Sequence, residues 1–185
     1  MAFVQVTKPG STGFFVFPLD EENLQAKIPH DWTRTYPLAA FERITDPRTY
    51  TQLKSRVGSG PLTVVGLWPD DAVVKKWELI VGGETCFFVT KTGLVAAGTI
   101  IHSERSRALA EQLFGKGSPG THECLVLLAG VEPLAMPLER FLESLGRKSR
   151  APFKGFTTIS LDNIKRLEER HGSVFGFLEA ARARN

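Results

Sequence analysis

The chain has 185 residues, of which 42% are hydrophobic and 23% are charged. These proportions are typical of a globular protein and exclude global disorder, and no apolar run reaches the roughly 20 residues that a membrane helix needs. Lysine plus arginine (23) exceeds aspartate plus glutamate (20), so the net charge of +3 permits a polyanionic partner without requiring one.

Local signals predict short strands and helices along the first part of the chain. Asp46 followed by Pro47 is typical of a helix start, because the carboxylate caps the first turn and proline suits the first helical position. Asp70 is expected to cap a further helix that carries Trp77 on its apolar side. The predicted strands here are residues 13–17 and 62–67, and the predicted helices are residues 20–28, 46–56 and 70–77.

The middle of the chain predicts an antiparallel hairpin. Two apolar segments, residues 84–90 and 94–101, are joined by Lys91-Thr92-Gly93, which is too short for a crossover helix. A doubly wound parallel sheet needs a helix after every strand, so the hairpin argues against that class. Ser103 is then expected to cap a helix that ends near Phe114.

The remaining segments complete an α+β prediction, with a small, curved, mostly antiparallel sheet or partly closed β-barrel flanked by helices. Residues 1–172 are expected to form one domain. Residues 173–185 form a C-terminal helix that is either part of this domain or the start of a linker to a further domain. The predicted strands here are residues 123–131 and 153–159, and the predicted helices are residues 137–146, 161–171 and 174–184.

Catalytic, cofactor and metal signatures are not found in the sequence. The Gly115-Lys116-Gly117-Ser118 run lacks P-loop spacing, and His122 with Cys124 lacks the second ligand pair of a zinc site. We therefore expect a binding protein without catalytic residues, metal or cofactor. Cys86 and Cys124 lie in apolar runs and Met1–Lys8 lacks a signal-peptide pattern, so reduced buried thiols and a cytoplasmic location are expected.

Aromatic and basic residues provide the functional signals. Trp68 follows a buried strand and lies in a loop, where it either covers the core or lines a pocket. Trp32 lies in a polar loop close to Tyr36. Four cations occur without an acid between residues 144 and 158, as either a solvated loop or a strip that contacts phosphates. They are Arg147, Lys148, Arg150 and Lys154.

Three segments, residues 64–68, 77–89 and 93–100, together resemble the core of the EVE and YTH domains in the PUA-like group. Gly66-Leu67-Trp68 is similar to the Gly-Val-Trp of YTH domains, whose tryptophan forms one wall of a methyladenine cage. Gly83-Glu84 stands where EVE domains have Gly-Asp. Within the group, the chain resembles the N-terminal DNA-specificity domain of McrB-type subunits from modification-dependent restriction systems.

The resemblance implies that a methylated base is flipped out of duplex DNA into an aromatic pocket, N6-methyladenine first and 5-methylcytosine second. Trp68 would be one wall, Leu113 or Phe114 the aliphatic wall, and Asp20 or Asn23 a polar contact to the base. The second cage tryptophan has no counterpart between Gly98 and Leu113, so Trp32 or Tyr36 is the expected replacement. The four-cation strip would meet the phosphates.

The resemblance also implies partners. A motor domain or a nuclease would act on the DNA that this domain recognises. The alternatives left open are a YTH-like or PUA-like RNA-binding module, which would prefer single strands through 2′-hydroxyl contacts, and a small-molecule binder or enzyme on a similar fold.

Overall fold

The computed structural model describes residues 13–19, 35–115, 122–147, 153 and 155–182. Within these ranges the strands are β1 (Phe14–Pro18), β2 (Thr35–Tyr36), β3 (Leu62–Leu67), β4 (Thr85–Val89), β5 (Gly93–Arg105), β6 (Cys124–Pro137) and β7 (Thr157–Thr158). The α-helices are α1 (Pro47–Val57), α2 (Asp71–Trp77), α3 (Arg107–Phe114), α4 (Leu138–Ser144), α5 (Leu161–His171) and α6 (Val174–Ala181), and a 3₁₀ helix covers Leu38–Arg43. None of these helices is long and apolar enough to cross a membrane.

The strands form one sheet in the order β2-β3-β6-β5-β4-β1-β7. The pairs β2–β3, β3–β6 and β1–β7 are antiparallel, whereas β1 and β4 run parallel. Because β2 and β7 form two separate edges, the sheet in the described part of the chain is not closed. The predicted α+β class, with helices flanking a mostly antiparallel sheet, is confirmed.

The hairpin between β4 and β5 forms as its sequence predicts. The backbone N–H of Thr90 donates to the carbonyl of Gly93 at 2.8 Å, and the Thr90 hydroxyl accepts from the Gly93 N–H at 3.1 Å. Glycine is required at position 93, because a Cβ there would collide with the carbonyl oxygen of Met136. The turn therefore fixes where β5 begins and how closely β6 approaches it.

The chain divides into two compact units. The first unit comprises Met1–Asp20, Gly83–Gly98 and Glu132–Asn185, and the second comprises Glu21–Gly82 and Thr99–Val131. β5 and β6 contribute residues to both. Each unit has its own cluster of buried apolar side chains.

Aromatic rings dominate the core of the first unit. The ring of Phe87 stacks on Phe14, with centroids 6.0 Å apart, and meets Phe141 and Phe177 edge to face at 5.4 and 5.9 Å. Phe177 belongs to α6 and is fully buried, so this last helix contributes to the core. Phe88 is buried on the opposite side of β4, as alternation along a strand requires.

Helices cover one face of β3 and β6 in the second unit. Leu53 of α1 and Leu109 of α3 pack with Val64 and Leu127, which lie opposite each other in the β3–β6 ladder. Residues i and i+2 of a strand share a face, so Gly66 points to the same side as Val64. This packing places the loop that follows β3 beside the C-terminal end of α3.

Three sequence-based boundaries need correction or lie outside the structure. Ser103 does not cap α3: β5 continues to Arg105, and the Ser106 hydroxyl accepts from the backbone of Leu109 at 3.1 Å. Strand pairing explains the difference. β5 lies beside β6, which is 14 residues long, so β5 continues past Ser103. The strand predicted for residues 153–159 is reduced to β7, which pairs with only two residues of β1. The helix predicted for residues 20–28 lies outside the described residues.

Candidate nucleic-acid interface

Trp68 is exposed directly after a strand that is entirely buried. Every residue of β3 is buried, whereas Trp68 is 41% exposed. Its carbonyl accepts from the backbone of Asp70 at 2.9 Å, and the Asp70 carboxylate accepts from the N–H of Val73 at 2.8 Å to cap α2. The indole is thus held between a strand and a capped helix, on a backbone that is fixed on both sides.

His122 and Phe114 lie on the same side of β3 as the indole. The imidazole of His122 is 7% exposed and meets the Trp68 ring edge to face, with centroids 6.3 Å apart and planes at 81°. A Cβ at Gly66 would lie 2.6 Å from the ring of Phe114 and 2.7 Å from the Cβ of His122. Glycine at this position therefore allows both side chains to approach the strand, two residues before Trp68.

The start of β6 is fastened next to this aromatic group. The guanidinium of Arg105 contacts the carboxylate of Glu123 at 2.6 Å, and the backbone N–H of Ser106 donates to the Glu123 carbonyl at 2.9 Å. The hydrogen bond that Arg105 donates to Glu123 raises the pKa of Arg105 above its ordinary value. These contacts hold the residue that follows His122, so the imidazole has a defined place beside the indole.

Leu113 and Tyr36 belong to the interior of the second unit. Leu113 is buried, and its carbonyl accepts the Tyr36 hydroxyl at 2.9 Å. The Tyr36 ring meets Phe41 edge to face at 6.2 Å. Tyr36 pairs with Leu62 at the far end of β3, about 20 Å along the strand from position 68. The structure thus brings Trp68 and Phe114 to one end of β3, with Leu113 packed beneath and Tyr36 at the other end.

Three predicted pocket residues, Asp20, Asn23 and Trp32, lie outside the described residues, as do three of the predicted phosphate contacts, Lys148, Arg150 and Lys154. Arg147, in the first unit, is described. Its guanidinium lies 4.6 Å from the centre of the Phe153 ring, and its backbone N–H donates to Leu142 at 2.9 Å. This cation–π contact orients the Arg147 charge on an aromatic support.

The other notable side chains have structural roles. Trp77 is half-buried, and its indole N–H donates to the carbonyl of Leu125 at 3.1 Å, which ties α2 to β6. Both cysteines are free and buried, and desolvation raises the pKa of the Cys86 and Cys124 thiols. No group of three or more potential metal ligands occurs among the residues that the structure describes.

The contact between His122 and Trp68 was not predicted from the sequence. His122 was considered there only as a metal ligand together with Cys124. The signal was available in the two most apolar strands: antiparallel pairing of β3 with β6 places Leu67 opposite Cys124, so the residue after Leu67 lies beside those that precede Cys124. The register of that ladder, rather than any local motif, creates the Trp68–His122 contact.

Comparison with known proteins gives a match at the level of the fold. No protein-family model matches the chain. No curated protein matches it either. Among solved structures, the N-terminal domain of Thermococcus gammatolerans McrB bound to m5C DNA superposes with a TM-score of 0.60 over 85% of this chain and 96% of that chain, at 13% sequence identity. The two chains share a fold, which confirms the resemblance to a McrB-type N-terminal domain at that level.

Proposed function

We propose that this chain binds duplex DNA that carries a methylated base and holds that base, rotated out of the helix, against the indole of Trp68. The observation that carries the proposal is an exposed indole at the end of a buried strand, on a fold shared with a McrB domain that was bound to m5C DNA. Exposed tryptophan is costly in water and useful for stacking, because a base has an apolar face of similar size.

The free-energy cost of extruding a base and the gain from stacking it in such a pocket are similar in size. Removing a base from the duplex costs a few kcal/mol, and stacking on an aromatic side chain returns about 1–3 kcal/mol. A buried methyl group adds roughly 0.8 kcal/mol, which corresponds to about fourfold in affinity. A pocket without polar contacts therefore distinguishes a methylated from an unmodified base only modestly. A stronger preference for the methylated base needs hydrogen bonds to the base edge.

The residues take distinct roles in this proposal. Trp68 stacks on the base, with His122 supporting the indole and Phe114 closing the aliphatic side over Leu113. Asp20 or Asn23 would satisfy the base edge, and Trp32 would form the opposite wall, because Tyr36 lies at the other end of β3. The strip of Arg147, Lys148, Arg150 and Lys154 would neutralise phosphates.

Two methylated bases are the ligands to distinguish. The resemblance to YTH domains favours N6-methyladenine, whereas the solved neighbour was bound to m5C DNA. The function proposed is binding without catalysis. Residues 1–172, together with α6 that packs into their core, would form the reading domain, and a motor domain or nuclease partner would supply any cleavage.

Fluorescence anisotropy with matched duplexes tests the proposal. The duplexes carry adenine, N6-methyladenine, cytosine or 5-methylcytosine at one position and are measured at two salt concentrations. We expect one methylated duplex to bind at least about fourfold more tightly than its unmodified counterpart at both salts. Equal affinity across the methyl states would contradict the proposal, and tighter binding of a single-stranded RNA of the same sequence would assign the site to RNA.

A further inference from the structure

Helix α1 carries the most one-sided charge of the described helices. Arg48, Lys54 and Arg56 are its ionisable groups apart from a tyrosine, and it contains no acid. The other cation-bearing helices include acids as well: in α3, for example, Arg107 pairs with Glu111 at 3.0 Å. The three positive charges of α1 equal the net charge of the whole chain, which is +3.

The charges lie on the side of α1 that faces solvent. Tyr50, Leu53 and Val57 follow a helical spacing and pack into the core of the second unit. The exposed residues outside that spacing are Arg48, Thr51, Gln52, Lys54 and Ser55; Arg56 is also exposed, but its guanidinium donates to the carbonyl of Ile101. Arg48 and Lys54 are both exposed, and among the described residues no acidic side chain lies within ion-pair distance of either.

Helix α1 is held in place at both ends. The Asp46 carboxylate accepts from the backbone N–H groups of Arg48 and Thr49 at 3.0 Å each, and Gly58 ends the helix with a φ of +65°. Arg56 donates to the carbonyl of Ile101 and so joins the helix to β5. A rigid helix loses less conformational entropy when it binds than a flexible basic loop would.

The dimensions of this face match a nucleic-acid strand. Arg48 and Lys54 are six residues apart, which is about 9 Å along a helix axis. One DNA strand carries a phosphate for about every 3.4 Å along the duplex axis, so a helix that lies along this axis would span two to three successive phosphates. The Gln52 amide between the cations is a side-chain group of the kind that donates to phosphate oxygens.

We propose that the outer face of α1 binds the sugar-phosphate backbone of duplex DNA. The inference rests on the proposed function, and α1 belongs to the same compact unit as Trp68. Binding at α1 holds the duplex irrespective of its sequence and methylation, while Trp68 reads the base.

The test compares two double variants that remove equal charge. Arg48→Gln with Lys54→Gln removes two cations from α1, and Lys165→Gln with Arg170→Gln removes two exposed cations from α5, where acids neighbour them. Affinity for unmodified and methylated duplexes is measured from 50 to 200 mM salt. We expect the α1 variant to lower the magnitude of the log–log salt slope by about 2, so that the affinity ratio between these salts shrinks about tenfold.

The control variant in α5 should leave the slope unchanged, and the α1 variant should weaken binding to both duplexes by the same factor. An unchanged slope in the α1 variant, or an equal change in both variants, would overturn the inference even if wild type prefers methylated DNA. Wild type that binds duplexes without methyl preference would instead overturn the proposed function, and the slope comparison would still decide the role of α1.

Discussion

Gly66 lies directly beneath the ring of Phe114, with space for a hydrogen atom but not for a methyl group. The same glycine faces the Cβ of His122, so one residue without a side chain sets the positions of two aromatic groups next to Trp68.

We expect Gly66→Ala to destabilise the fold by about 1–3 kcal/mol through overpacking, measured by urea denaturation. Gly60→Ala, where the nearest atoms are a methyl carbon of Val57 at 3.3 Å and the Val57 carbonyl oxygen at 3.4 Å, is the matched control because it meets no atom as close as 2.6 Å. Equal stability of the two variants would contradict the close approach.

Trp77 offers a contrast with Trp68, because its indole N–H is used inside the protein. Trp77→Phe removes the hydrogen bond to the carbonyl of Leu125. We expect a loss of about 1 kcal/mol in the free energy of unfolding, with the preference for methylated duplex retained. A variant that folds normally but loses the methyl preference would show that Trp77, and not Trp68 alone, contacts the base.

The carboxylate of Asp46 makes the stability of α1 depend on pH. Hydrogen bonds from Thr49 lower the pKa of Asp46 below its ordinary value of 3.8. A depressed pKa in the folded state adds stability above pH 3.8 that is lost as the pH falls through the folded-state pKa. An asparagine in its place can cap the helix but does not titrate. The melting temperature of wild type relative to Asp46→Asn should therefore be constant above about pH 5 and fall below pH 4, and a constant difference down to about pH 3 would contradict this account.

Base extrusion has its own chemical signature. When N6-methyladenine leaves the stack, the thymine opposite loses its partner and becomes open to attack by permanganate. We expect wild type to increase oxidation of that thymine in the methylated duplex and not in the unmodified one. Oxidation that stays at the background level while the duplex is bound would show that this base is read without flipping.

Local chemistry in the sequence predicted most of the secondary structure. Asp46 and Asp70 each cap a helix through their own side chain, so the signal and the structure lie within four residues of each other. Ser103 carries the same signal, yet a long-range ladder overrides it and Ser106 caps the helix instead. Boundaries set by strand pairing cannot be read from a window of sequence.

The candidate site was predictable only in part. Trp68 was selected because it follows an apolar strand and because Gly66-Leu67-Trp68 resembles a YTH segment; of the two roles left open, covering the core or lining a pocket, its 41% exposure favours the second. Its neighbours His122 and Phe114 are more than 40 residues away in sequence, and they meet through the β3–β6 register and the space above Gly66. The cationic face of α1 was not predicted, because its three cations are spread over nine residues and form no continuous run of charge.

The central claim is that the indole of Trp68 provides the preference for a methylated base. The direct measurement is the ratio of Kd for unmodified over methylated duplex in wild type, Trp68→Ala and Phe175→Ala, each confirmed as folded by circular dichroism. Phe175 is a matched control, because it is an aromatic residue of α6 that is 52% exposed. The account predicts a ratio near one for Trp68→Ala and the wild-type ratio for Phe175→Ala. A folded Trp68→Ala variant that keeps the wild-type ratio would contradict it.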